Sequence, residues 1–90
     1  MNTFRLIVAS PDGNIFDGEA VMLSVRGTEG ELAVMAGHVP FVTSVVECDC
    51  KIALGDADDT DREAQTGGGV LTVSQNAVTL LTGSFEWRSE

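Results

Sequence analysis

Ninety residues, 43% of them hydrophobic, exceed what a disordered chain carries and suffice for one domain around one modest core. A formal net charge of -9, with 14 acids against five bases, opposes phosphate backbones and anionic headgroups, so nucleic acid is not expected as a ligand. No apolar run approaches the roughly 20 residues that span a bilayer, and the N-terminal Met-Asn-Thr-Phe-Arg lacks the features of a secretory signal, so direct membrane insertion is not expected either.

Thr3 to Ala9 alternates, with Phe4, Leu6 and Val8 on one side, and reads as a strand. Ser10-Pro11-Asp12-Gly13-Asn14 carries the residues of a tight turn, and Asn14 to Phe16 returns as the second arm of a hairpin. After Asp17-Gly18, Ala20 to Arg26 places Val21, Leu23 and Val25 on one side. Gly27-Thr28-Glu29-Gly30 breaks that strand, and Glu31 to Met35 resumes with Leu32 and Val34 alternating against Ala33 and Met35. Ala36-Gly37-His38-Val39-Pro40 is a second break, followed by strands at Phe41 to Val46 and Lys51 to Leu54.

Gly55 to Glu63 is mostly acid. Calcium is one reading, but the glycine and the terminal glutamate of an EF-hand loop are missing, and a charged hairpin tip that blunts a sheet edge is the other. Gly67-Gly68-Gly69 has no Gly-Lys-Ser/Thr behind it, so a bulge or a close backbone approach is expected instead of a phosphate loop. Val70 to Ser74 and Ala77 to Thr82 are further strands around Gln75-Asn76. Helical periodicity is nowhere sustained, and short strands punctuated at this spacing predict an all-β sandwich or barrel.

The chemistry of an enzyme is thin. Any hydrolytic triad would depend on His38, the single histidine, and neither Ser10, Ser24 nor Ser44 sits in a nucleophile signature. Cys48 and Cys50 flank Asp49; a disulfide at that spacing is strained and too few further ligands exist for zinc, so two free thiols, a reducing compartment and no metal are expected. No catalytic residue and no cofactor is assigned. Met22 and Met35 read as core or as an adaptable contact surface.

In order along the chain, Ser10 to Gly18, Gly27-Thr28-Glu29-Gly30-Glu31-Leu32, Gly37-His38-Val39-Pro40, Gly68 to Val73 and Asn76 to Leu81 together resemble the N-terminal domain of the epsilon subunit of F-type ATP synthases. The resemblance covers nearly the whole chain. It implies a flattened sandwich of two five-stranded sheets, ten strands in all, in a noncatalytic central-stalk subunit that couples the gamma subunit to the membrane c-ring. It implies that Glu29 and Glu31 face the polar loops of the c-ring, that Ser10, His38 and Thr43 lie towards gamma, and that the protein is peripheral, on the cytoplasmic face of the membrane in a bacterium. The isolated domain is expected to be a monomer.

Departures from the pattern are Ala36, where relatives commonly have proline, the acidic run and the cysteines. The chain is also expected to be a single domain over residues 1–90, without the C-terminal helical hairpin of most relatives; Phe85 and Trp87 then either pack on the sandwich or mark a gamma contact. The competing expectation is a free-standing β-sandwich that binds a ligand or calcium.

Overall fold

The computed structural model describes residues 2–37, 39–54, 61–75 and 77–88. The strands are β1 (Phe4–Ser10), β2 (Gly13–Ala20), β3 (Met22–Gly27), β4 (Gly30–Met35), β5 (Phe41–Val45), β6 (Cys48–Ala53), β7 (Asp61–Thr66), β8 (Gly69–Val73), β9 (Ala77–Thr82) and β10 (Phe85–Trp87). Hydrogen-bonded neighbours follow the order β10-β7-β6-β3-β5-β8-β9-β1-β2, with β4 on the other side of β3. Pairing is antiparallel except between β1 and β9.

The sheet turns a corner at β3. Met22 to Ser24 pair with β6, whereas Gly27 pairs with Val45 of β5. Divided there, the strands form a front layer, β5-β8-β9-β1-β2, and a back layer, β4-β3-β6-β7-β10. The sequence expectation of an all-β sandwich with two five-stranded sheets is met.

Alternation fills the space between the layers. Leu6, Val8, Leu71, Val73, Val78 and Leu80 point in from the front, and Leu23, Val25, Val34, Cys50 and Ile52 from the back, all buried. Cys48 and Cys50, two apart on β6, share the inward side, and both are free thiols. Burial, then the neighbouring Cys48, pushes the Cys50 thiol up to about 12.

Two devices tie the layers together. The Thr66 and Thr82 hydroxyls of β7 and β9 lie 2.8 Å apart, and Thr82 also reaches the carbonyls of Gly68 (2.7 Å) and Ser84 (2.8 Å), so the two buried polar side chains satisfy each other. Across the seam between the outermost strands, the rings of Phe16 on β2 and Trp87 on β10 meet edge to face at 5.9 Å, with Phe85 5.1 Å behind and the Arg62 guanidinium 4.4 Å from the indole centroid. Phe85 and Trp87 therefore pack against the sandwich core.

Several boundaries differ from the sequence reading. β2 runs through Asp17-Gly18 to Ala20, because Asp17 points outward onto Arg5 while the Phe16 ring covers Gly18. β6 starts at Cys48, and β7 begins inside the run read as an acidic tip, Asp61 pairing with Ala53 and Glu63 with Lys51 across the ladder. The rest of that run, 55–60, lies outside the described residues, and so does the calcium reading placed on it. The glycine triplet is a close approach, as expected: a methyl group at Gly69 would overlap the Leu81 carbonyl oxygen, and one at Gly68, where φ is +97°, would stand 2.7 Å from that of Val45.

Candidate interaction surfaces

The β3–β4 hairpin carries the acidic turn. Gly27 and Gly30 close a two-residue loop whose tip is Thr28-Glu29, both exposed. Behind the tip, Glu31 stands opposite Arg26 and its carboxylate takes the guanidinium at 3.0 Å, both groups largely in water. The hairpin is anchored to β5, the Thr28 N–H donating to the Ser44 carbonyl at 3.3 Å and the Val46 N–H to the Arg26 carbonyl at 3.0 Å. Of the two acids singled out from sequence, Glu29 is the open one and Glu31 is already held by a base.

Ladder register fixes what lies beside this turn. Gly27 pairs with Val45, Val45 with Gly69, Gly69 with Thr82, and the neighbouring Leu81 with Ala9. The β1–β2 turn after Ser10 is thus at the same end of the sandwich as Glu29. Asp12 on that turn and Glu47 between β5 and β6 add exposed acids there. Sequence reasoning passed over both, since only the ladder brings the three connections to one end.

The gamma candidates are not gathered at one place. The Ser10 hydroxyl is occupied within its own turn, accepting from the Asp12 N–H at 3.2 Å and donating to the Gly13 carbonyl at 3.3 Å. Thr43 is midway along β5, on the inward side with Phe41 and Val45, its hydroxyl 3.4 Å from the Ser44 carbonyl. His38 lies outside the described residues.

What β5 does turn outward is Val42 and Ser44. They head two rows across the front layer: Val42, Thr72, Thr79 and Ile7, then Ser44, Val70, Leu81 and Ala9. None of the eight is ionisable, although the chain carries a net charge of -9. Val42, Val70 and Leu81 are 67%, 42% and 53% exposed. The opposite, back face is charged, with Arg26, Glu31, Asp49, Lys51 and Glu63 around a cleft of about 440 Å³ that opens where β3 leaves β6 and the Arg26 N–H donates to the Cys48 sulfur instead of a carbonyl.

All five bases are engaged within the chain. Arg5 pairs with Asp17, Arg26 with Glu31, Lys51 with Asp61 and Arg88 with Asp49, while Arg62 lies over Trp87. The two-bond fork from Arg5 holds the Asp17 carboxyl below the usual carboxylate range. Among the described residues no group of three His, Cys, Asp or Glu side chains is placed to hold a metal ion, and no helix is long and apolar enough to cross a membrane.

Similar proteins agree with this architecture. The chain is 35% identical over its whole length to the ATP synthase epsilon chain of Ruminococcus albus, of which it covers 66%, and 38% identical to that of Caldicellulosiruptor saccharolyticus, of which it covers 64%. A third relative, 35% identical with 98% of this chain and 65% of its own length covered, is the sodium ion specific ATP synthase epsilon chain of Acetobacterium woodii. The chain thus spans about two thirds of the length of these curated relatives. Its fold is shared with a chain of the Tetrahymena thermophila mitochondrial ATP synthase central stalk and c-ring structure (TM-score 0.75, 12% identity, covering 93% of this chain and 66% of that one). A chain of the Euglena gracilis mitochondrial ATP synthase, in a structure of OSCP, F1 and c-ring, shares it too (TM-score 0.82, 19% identity, covering 94% and 53%). The family model for the ATP synthase delta/epsilon chain β-sandwich domain matches residues 3–88, and the chain belongs to that family.

Proposed function

We propose that this chain is a noncatalytic coupling subunit of the central stalk of an F-type ATP synthase, held by the gamma subunit and resting on the polar loops of the c-ring in ion-gradient-driven ATP synthesis. It works peripherally, on the cytoplasmic face if the source is bacterial. The observation that carries the reading is the uncharged double row on the front of a strongly acidic protein. A surface of that kind loses little on desolvation, whereas the charged back face would have to shed its hydration.

Gamma lies across Val42, Val70 and Leu81, near enough to the end of β1 for Ser10 to be reached; Thr43, on the inward side of β5, and His38 are assigned to the same contact by family resemblance alone. The c-ring meets the acidic end, where Glu29 leads and Glu31, Asp12 and Glu47 add field. With every base in the chain already engaged, the partner there supplies the positive charge.

Co-expression with a cognate gamma subunit followed by size exclusion tests the first contact, and binding of the resulting complex to purified c-ring tests the second. The wild type elutes as a one-to-one complex, Leu81→Glu as free protein, and Glu29→Lys still with gamma but with c-ring attachment weakened by about tenfold or more. Retention of gamma by Leu81→Glu would remove the front face from the contact. Unchanged c-ring attachment in Glu29→Lys would remove the turn.

A further inference from the structure

A sandwich of two open layers has four edge strands, and three of them are protected here. β2 presents Asp17 and Glu19, with Phe16 covering the seam. β10 has three residues, and Pro40 leads into β5, which the hairpin holds at Ser44 and Val45. β4 has neither proline nor lysine, and its one charge, Glu31, is at the hairpin end. Its remaining residues, Leu32-Ala33-Val34-Met35, are apolar, the composition that natural edges normally avoid.

The register shows which backbone groups are open. The two-residue loop makes Gly27 and Gly30 a hydrogen-bonded pair, so Val25 with Leu32 and Leu23 with Val34 are bonded too, and Arg26–Glu31, Ser24–Ala33 and Met22–Met35 are not. Arg26 agrees with this, its N–H donating to the Cys48 sulfur and its carbonyl accepting from Val46, both away from β4. The N–H and C=O groups of Glu31, Ala33 and Met35 therefore point off the free side of β4, and among the described residues none has a backbone partner there.

We propose that the free edge of β4 is a strand-addition site for an extended, apolar segment of a partner protein, with a basic residue of that segment beside Glu29 and Glu31. Charge selects the occupant. A second copy would bring another net charge of -9 and no uncommitted base, whereas a segment ending in lysine or arginine complements the acidic turn at one end. At the other end, Met35, Phe4 and Pro40 line a cleft of about 320 Å³ that takes an apolar side chain. Antiparallel addition places the basic residue at the segment's C-terminal end.

The test uses the 90-residue protein and an acetylated, amidated hexapeptide of alternating threonine and valine ending in lysine, followed by amide hydrogen exchange resolved by NMR. Without peptide, Leu32 and Val34 exchange slowly, and Glu31, Ala33 and Met35 fast. Peptide at about 1 mM slows those three together by about tenfold or more, leaving the other two unchanged. A terminal glutamate in place of lysine weakens the effect, and Ala33→Pro, which deletes one outward N–H at an edge position, abolishes it. If Ala33→Pro does not fold, Ala33→Lys, which sets a like charge on the face beside the segment's lysine, serves in its place. The proposal is overturned by no protection at saturation, by protection indifferent to the variant, or by protection that rises with protein concentration alone, since the last outcome makes the occupant a second copy.

Discussion

Cys50 shows how much a single buried group reports. Its thiol is 1% exposed and titrates near 12 against an ordinary 9.0, because the inward side of β6 cannot hydrate a thiolate. Folding therefore favours the protonated form. The folded-state value is raised, so this stabilisation is complete below about pH 9 and is lost as pH climbs towards 12. The unfolding free energy from denaturant titrations should fall across that window, by about 1.4 kcal/mol per pH unit while only the unfolded thiol is ionised, and Cys50→Ala should flatten the fall. At pH 8 a thiol reagent should modify Cys48, which is half-buried at the back cleft, and reach Cys50 only after unfolding; mass spectrometry of the labelled peptides distinguishes the two.

At the scale of the element, the seam depends on the shortest strand. β10 offers three residues of ladder, yet it sets Trp87 against Phe16 across the gap and under Arg62. Trp87→Ala should cost roughly 2 kcal/mol, less than truncation of a fully buried aromatic because the indole is only half-buried. Since Trp87 is the single tryptophan, Phe16→Ala should shift its emission to the red in the folded protein; an unshifted spectrum would mean that the two edges are not in contact. Two strands that precede β10, namely β7 and β9, show where sequence was legible and where it was not. β9 reads off the pattern at Ala77–Thr82 because Val78 and Leu80 recur at period two in a β-branched run, while β7 is hidden because its buried positions are Ala64 and Thr66 and its outward ones, Asp61, Glu63 and Gln65, are polar. Period two was present there, but not in hydrophobicity. Likewise Glu29 and Glu31 stand out in the sequence, whereas the uncharged rows of the front face exist only once four strands are laid side by side.

For the molecule as a whole, surface charge is divided by kind: two uncharged rows across β5, β8, β9 and β1 of the front, an acid-rich end, and a back where opposite charges answer each other. The bases were spent on the protein's own architecture, which has a consequence for how it meets proteases. Trypsin cuts only after lysine or arginine, and Arg5, Arg26, Lys51 and Arg62 all lie inside β-ladders while Arg88 directly follows β10, its amide bonded to the Glu63 carbonyl. Binding a scissile bond in extended form within a protease cleft requires freeing about ten residues of backbone, so cleavage at the four internal sites should wait for the sandwich to open. Digestion should therefore follow the global unfolding equilibrium, and a time course in increasing urea becomes a stability measurement made on a gel.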